Sequence, residues 1–137
     1  GGTREMTGFT GPKGIGAFLR PTVVGGLSHT SRCATEEIFG PMVTLHTFTT
    51  ETEALEMVNA SEYGLAGSVW TNDLERGRAF SEKIDSGIIW INTWLHRDLR
   101  TPFGGVKNSG IGREGGQWSL EFFSEMTNIC VKNQETV

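Results

Sequence analysis

Cysteine is scarce in this sequence: among 137 residues only Cys33 and Cys130 occur, and they lie far apart. This spacing excludes the dense disulfide framework of a small secreted protein and the paired cysteines of a zinc site. We therefore predict a cytoplasmic protein without a metal site. His29 stands close enough before Cys33 for a thiolate–imidazole pair, but no residue that would orient the imidazole is identifiable, which favours a non-catalytic Cys33.

The sequence also lacks a basic cluster and a long apolar run. Lysine and arginine number 12 against 16 acidic residues, a formal net charge of −4, so no surface suited to a nucleic-acid backbone is predicted. The longest apolar run, Ile88–Ile91, is too short to span a bilayer, and no long basic amphipathic helix is present to lie on its surface. We expect a soluble protein that binds neither nucleic acid nor membranes.

No initiator methionine and no targeting segment open the chain, which starts Gly1-Gly2-Thr3. The length suits one globular domain with a real core, but a start of this kind predicts a piece of a longer protein. Glycine is abundant, at 19 residues without a fixed period, as in a loop-rich enzyme rather than a fibrous protein.

The first half of the sequence predicts two strands and a helix. Residues 18–27 place apolar side chains around Pro21, which suits an edge strand or an extended approach better than a central strand, because proline cannot donate a hydrogen bond to a neighbouring strand. Residues 42–48 are the next strand candidate. Thr50 and Glu53 then have capping-box spacing, and apolar residues follow at helical intervals, which predicts a short amphipathic helix.

The second half continues this alternation. Residues 65–71 have the pattern of a strand, and Asn72 and Glu75 repeat the capping spacing for a helix through Ile84. The apolar run of residues 87–92 is typical of a strand covered on both faces. The resulting β-α-β-α-β order predicts an α/β fold with a parallel or mixed sheet, in which ligands bind beyond the carboxyl ends of the strands.

Residues 93–116 carry no regular pattern, and a loop of this length is usually functional or disordered. Its aromatic and aliphatic side chains favour an ordered loop that crosses a site. Within it, Arg97 and Arg100 could clamp a carboxylate with their planar guanidinium groups. The alternative is a structural ion pair with neighbouring Asp98, and one arginine could serve each purpose.

The segment that we call the acidic turn, residues 36–41, joins two adjacent carboxylates to an apolar pair and then to Gly40 and Pro41. Gly40 can adopt backbone angles closed to other residues and Pro41 fixes its own φ, so the carboxylates would be held on a stiff lead into a strand. A carboxylate held in this way can bind ligand hydroxyls. A solvated surface turn explains the same pattern, and spacing alone favours it.

The end of the sequence predicts a helical turn at residues 119–123 and a strand at residues 126–132, where side chains alternate with a period of two. A strand in this position could form an edge of its own domain. It could equally pair with the sheet edge of another subunit, and the pattern does not separate the two.

Taken together, four motifs resemble the C-terminal part of NAD(P)-dependent aldehyde dehydrogenases. They are Glu36-Glu37-Ile38-Phe39-Gly40-Pro41, Tyr63-Gly64-Leu65-Ala66, Pro102-Phe103-Gly104-Gly105-Val106-Lys107-Asn108-Ser109-Gly110 and Gly112-Arg113-Glu114-Gly115. The resemblance runs from about residue 16 to about residue 132, and residues 94–101 are most similar to the 2-aminomuconic and 2-hydroxymuconic semialdehyde enzymes. It implies part of the family's catalytic domain over residues 1–123 and an oligomerisation strand and tail over residues 124–137.

The resemblance implies that an aldehyde is oxidised to the acid through a cysteine thioester, with hydride transfer to NAD. Glu37 matches the carboxylate that holds the nicotinamide-ribose hydroxyls, since a carboxylate can accept a hydrogen bond from each of two hydroxyls. Phe39 matches a residue beside that riboside, and Leu65 an apolar contact near the nicotinamide ring. The choice of NAD over NADP follows from the subfamily resemblance alone.

Three further residues are implied on the substrate side. Phe103 matches an aromatic wall of the family's substrate tunnel. Arg97 stands where many relatives place an apolar or aromatic substrate-anchoring residue, and arginine there suits an anionic, muconate-type semialdehyde. Arg100 is the second candidate for this contact.

The departures from the family pattern are equally specific. In the family, the nucleophilic cysteine, the general-base glutamate, the oxyanion-hole asparagine and the cofactor domain lie N-terminal to this segment, so we expect no catalytic residue here and no activity of the chain alone. Residues 124–131 resemble the oligomerisation strand, which implies a homodimer or homotetramer. The alternative function is a non-catalytic assembly module, which predicts no aldehyde-dependent NADH formation even when the upstream segment is supplied.

Overall fold

The computed structural model describes the backbone of residues 3–6 and the whole of residues 18–132. The described residues fall into two compact units. The first consists of those up to Glu62 together with Arg78–Asp85, and the second of Tyr63–Gly77 together with those from Ser86 onward.

The first unit contains a three-stranded sheet in the order β1 (Thr3–Met6), β2 (Thr22–Gly25), β3 (Met42–Leu45). β1 pairs with β2 antiparallel and β2 with β3 parallel. β2 therefore has a partner on each side, and the prediction of an edge strand within residues 18–27 is wrong. Pro21 directly precedes the first residue of β2, so its missing N–H removes nothing from the hydrogen-bond ladder.

The described residues of this unit up to Glu62 also contain α1 (Arg32–Thr35), which was not predicted, and α2 (Glu51–Asn59). α2 begins as its sequence predicts: Thr50 Oγ1 accepts a hydrogen bond from the Glu53 N–H at 3.2 Å. The Glu53 carboxylate in turn accepts one from the Thr49 N–H at 2.7 Å. The reciprocal bond thus reaches one residue further back than in the standard capping box.

The side chain of Asn59, at the end of α2, joins the two chain segments of the first unit. Its Nδ2 donates to the Lys83 carbonyl at 2.8 Å, and its Oδ1 accepts from the Asp85 N–H at 2.9 Å. An amide that donates and accepts at once satisfies two backbone groups that a turn would otherwise leave unpaired. Asn59 therefore fixes the backbone at Lys83 and Asp85 against the end of α2.

In the second unit, β5 (Ala66–Val69) pairs parallel with β6 (Ile88–Ile91), and β4 (Tyr63–Gly64) pairs antiparallel with β7 (Val106–Lys107). Parallel and antiparallel pairing among alternating helices and strands confirms the predicted α/β class with mixed sheets. β7 lies inside the segment 93–116, so the expectation of a wholly irregular loop there is wrong.

The helix between β5 and β6, α3 (Leu74–Ser81), is capped one residue later than predicted. Asp73 Oδ1 accepts a hydrogen bond from the Arg76 N–H at 3.0 Å, so Asp73 and not Asn72 is the cap. The α-helix also ends before Ile84. Ile84 N–H donates to the Ser81 carbonyl at 3.1 Å, so the predicted last turn is of the tighter i→i−3 kind.

The C-terminal part contains α4 (Gly116–Phe123), which begins earlier than the helical turn predicted at residues 119–123. Residues 126–132 form no strand with any other described residue, so the strand predicted there does not form within this part of the chain. A strand requires a partner for its N–H and C=O groups, and none of the described segments pairs with this one.

Few side chains are buried. Among the described residues, Ala54 and Trp90 are the buried hydrophobic ones. The expectation of a strand covered on both faces is not met by the described residues: in β6 Trp90 is buried and its neighbours are half-buried. No helix in the described ranges is long and apolar enough to cross a membrane, and no group of three or more His, Cys, Asp or Glu there could hold a metal ion.

Candidate functional site

The acidic turn begins where α1 ends. The Glu36 N–H donates to the Arg32 carbonyl at 2.8 Å, after which the backbone becomes extended, with φ −97° and ψ 146° at Glu36. The Gly40 N–H donates to the Ile38 carbonyl and the Met42 N–H to the Gly40 carbonyl, both at 2.8 Å. Two successive three-residue turns therefore connect the carboxylates to β3.

These turns, and not an unusual glycine conformation, shape the segment. The φ of Gly40 lies outside the left-handed region, and a Cβ built there has nothing described within 4 Å, so Gly40 does not use the backbone angles closed to other residues that it could adopt. The Pro41 carbonyl accepts a hydrogen bond from the Thr22 N–H at 2.9 Å. The stiff lead into the strand thus comes from Pro41 and its bond to β2.

The two carboxylates of the turn have different surroundings. Glu36 forms a bidentate ion pair with Arg32, with Nε to Oε1 at 2.7 Å and Nη2 to Oε2 at 2.8 Å. The hydrogen bonds from Arg32 lower the pKa of Glu36 below its usual value. Glu37 is exposed and makes no hydrogen bond or ion pair with another described residue. The carboxylate available to a ligand is therefore that of Glu37.

Phe39 is the second ligand candidate in this turn. It exposes 93% of its surface and lines an apolar cleft with Leu19, Val24 and Ile38 among others. A flat exposed ring two residues along the chain from a carboxylate that has no partner among the described residues can take a ligand that has both an apolar face and hydroxyl groups.

In the second unit, Arg97 belongs to a three-residue cluster with Phe103 and Glu114, which we call the Arg97 cluster. The guanidinium carbon lies 4.1 Å from the centroid of the Phe103 ring, and Nη2 donates to Glu114 Oε1 at 2.8 Å. Phe103 and Glu114 are themselves joined by two backbone hydrogen bonds of 2.8 Å each. Ring and carboxylate therefore hold the guanidinium from two sides.

Arg100 forms the structural ion pair with Asp98 that was one of its two predicted roles. Its Nε lies 2.9 Å from Asp98 Oδ1 and its Nη2 2.5 Å from Asp98 Oδ2. These hydrogen bonds lower the pKa of the Asp98 carboxyl. Because Arg100 pairs within its own loop, it is the weaker of the two candidates for a ligand contact.

Leu65 and Phe103 line one cleft of about 380 Å³ in the second unit, together with Phe122 and Phe123 of α4, a size within the range of small-molecule sites. The structure thus brings Leu65 to Phe103 and Arg97 to Phe103, while Glu37 and Phe39 are neighbours in the first unit. Sequence reasoning missed Glu114, Phe122 and Phe123. The apolar composition of the last helix was a usable signal for the two phenylalanines, whereas nothing local indicated Glu114.

Comparisons with known proteins find a matching family and similar proteins. The model of the aldehyde dehydrogenase family matches residues 2–129. The 2-hydroxymuconic semialdehyde dehydrogenase of Pseudomonas putida is 51% identical over 117 residues, which cover 85% of this chain and 24% of that protein. The 2-aminomuconic semialdehyde dehydrogenase of Mus musculus is 46% identical over 117 residues with the same coverage, 85% and 24%.

A solved structure shows the same likeness in three dimensions. The Mycobacterium tuberculosis aldehyde dehydrogenase complexed with NAD+ superposes with a TM-score of 0.81 at 42% identity, covering 92% of this chain and 26% of that one. The chain spans about a quarter of the length of the curated relatives it matches, 24% in each of the two named above.

Proposed function

Since the chain belongs to the aldehyde dehydrogenase family, as its four motifs predicted, we propose that it forms part of an NAD-dependent enzyme that oxidises a carboxylated, muconate-type semialdehyde to the acid. The observation that carries the proposal is the 51% identity with a 2-hydroxymuconic semialdehyde dehydrogenase. In this proposal the nucleophilic cysteine and the general base belong to the remainder of the enzyme, and the isolated chain is inactive.

Glu37 and Phe39 are the residues that would hold the cofactor. NAD, when bound, supplies the hydride acceptor of the oxidation. The Glu37 carboxylate would accept hydrogen bonds from ribose hydroxyls, and two features of the described residues support this: Glu37 has no partner among them, and Glu36 is engaged by Arg32. The exposed ring of Phe39 offers an apolar surface beside it. Leu65 would contribute a further apolar contact.

Arg97 would bind the carboxylate of the substrate. One of its amino groups donates to Glu114, and the guanidinium makes no other hydrogen bond with the described residues. About a third of its side chain, 34%, is exposed, so the remaining N–H donors can reach a second carboxylate. Two parallel N–H···O bonds to a carboxylate are the geometry for which a guanidinium is best suited.

The test is Arg97→Ala in the complete enzyme, with Arg100→Ala as the matched control. A lost charged hydrogen bond costs about 1.5–3 kcal/mol. We therefore expect the KM for a carboxylated aldehyde to rise roughly 10- to 100-fold with Arg97→Ala, while the KM for a neutral aldehyde stays unchanged. Arg100→Ala should alter neither value. An equal rise for both aldehydes in the Arg97 variant would remove Arg97 from substrate recognition.

We also propose that residues 124–131 pair with the sheet of another subunit in a homodimer or homotetramer. Their side chains alternate as in a strand, and Met126, Ile129 and Val131 are 95%, 80% and 79% exposed, which leaves an apolar edge for a partner. Deleting residues 124–137 from the complete enzyme should lower its mass in solution, measured by light scattering. An oligomer of unchanged mass would contradict this pairing.

A further inference from the structure

The backbone that carries Arg97 is tied to a buried indole. Trp90, in β6, is only 8% exposed, and its Nε1–H donates to the His96 carbonyl at 2.6 Å. That carbonyl belongs to the peptide that joins His96 to Arg97. The Trp90 ring also packs edge-on against Trp94, with centroids 5.0 Å apart and an interplanar angle of 62°. Trp90 therefore contacts the loop at two points before Arg97.

The start of the same loop is held by other residues. Ser68 Oγ donates to the Thr93 carbonyl at 2.9 Å. The Asn92 side chain forms two hydrogen bonds of 2.7 Å with the backbone N–H and C=O of Thr71. In the described part of the chain, Trp90 is the side chain that bonds the peptide directly before Arg97. Its N–H can therefore be removed without releasing the start of the loop.

The segment between these anchors has an unfavourable backbone conformation. Leu95 has a φ of 57°, in the left-handed region that leucine rarely adopts because its Cβ crowds the following carbonyl. Such a conformation persists only where surrounding contacts hold it. The contacts of Trp90 with Trp94 and with His96 lie on either side of Leu95.

We propose that Trp90 is a positioning residue for recognition of the substrate carboxylate. By holding the His96 carbonyl, the indole N–H keeps the backbone in place so that the Arg97 guanidinium lies over Phe103 beside Glu114. This inference rests on the proposed function, in which Arg97 binds that carboxylate. In this inference Trp90 does not contact the substrate, yet it contributes to the preference for anionic aldehydes.

Trp90→Phe in the complete enzyme removes the donor and retains a buried aromatic ring. We expect the KM for a carboxylated aldehyde to rise about tenfold, with kcat and the KM for a neutral aldehyde unchanged. Trp94→Phe is the matched control, because the Trp94 indole makes no hydrogen bond with the described residues; it should change neither KM. In an Arg97→Ala background, Trp90→Phe should add nothing, since both changes act through one contact.

A second variant carries benzothienylalanine in place of Trp90, which replaces the N–H by sulfur at nearly constant ring shape. It should show the same selective rise and serves if Trp90→Phe does not fold. A rise for both aldehydes, no rise at all, or an additive effect in the Arg97→Ala background would overturn the positioning role. If Arg97→Ala discriminates between the aldehydes and neither Trp90 variant does, only this inference fails; if Arg97→Ala does not discriminate, the proposed function fails.

Discussion

The acidic turn and the Arg97 cluster differ in where their functional side chains find partners. Glu37 has none among the described residues, and Phe39 is almost fully exposed. Arg97 already has a ring on one side and a carboxylate on another. A ligand can bind Glu37 without displacing an intramolecular contact, whereas a ligand of Arg97 must share the guanidinium with Glu114.

The backbone is also more closely packed near the Arg97 cluster than in the acidic turn. A Cβ added at Gly87, directly before β6, would lie 1.6 Å from the Gly104 carbonyl oxygen. One added at Gly40 in the acidic turn would meet no described atom within 4 Å. The chain segments around the Arg97 cluster are thus fitted to one another. No described residue of this unit lies close enough to Gly40 to require a glycine there.

Gly87→Ala is the change with the largest expected effect. The contact at 1.6 Å is with backbone, which cannot rotate away as a side chain can, so strand and loop must move apart. Overpacking of this kind costs about 3 kcal/mol or more at its upper end. We expect a clearly lower Tm of the complete enzyme, measured by thermal unfolding.

Gly40→Ala is the matched control for Gly87→Ala. Its expected effect on the free energy of unfolding is within about 0.5 kcal/mol, as for an unobstructed surface position. A loss of stability as large as that of Gly87→Ala would mean that a part of the enzyme outside the described residues packs against Gly40. If Gly87→Ala and Gly40→Ala both lowered the free energy of unfolding by the same small amount, the close packing at Gly87 would be contradicted.

Glu37→Gln has the next largest expected effect, on cofactor binding. Replacing a charged acceptor by a neutral one weakens its hydrogen bonds to hydroxyls by about 1.5 kcal/mol, a factor of roughly 10 in affinity. We expect the KM for NAD of the complete enzyme to rise by about this factor while its Tm stays unchanged. The measurement is steady-state kinetics at saturating aldehyde.

Glu36→Gln is the matched neighbour. It breaks an exposed ion pair with Arg32, and exposed pairs of this kind contribute little to stability. Its KM for NAD should equal that of the unmodified enzyme. If Glu36→Gln raised this KM and Glu37→Gln did not, the assignment of the two carboxylates would be reversed.

The elements that could be predicted are those specified by neighbouring residues. The cap of α2 is decided by Thr50 and Glu53, which lie within one turn of each other, and the strand–helix alternation by the local spacing of apolar residues. The cap of α3 was predicted one residue too early, because Asn and Asp are both favoured at this position and the local pattern does not decide between Asn72 and Asp73. No strand forms at residues 126–132 within the described part of the chain, because a strand depends on a partner that local spacing does not supply.

For the candidate site, the sequence by itself determined the types of group present: a carboxylate pair on a proline-stiffened turn, two arginines in one loop, and the motifs that identify the family. Only the tertiary structure decided how these groups are engaged. The pairing of Arg97 with Glu114 depends on the backbone bridge between Phe103 and Glu114, and the bond from Trp90 to His96 on the fold of the loop against β6. Such contacts join groups through space, and their geometry exists only once the chain is folded.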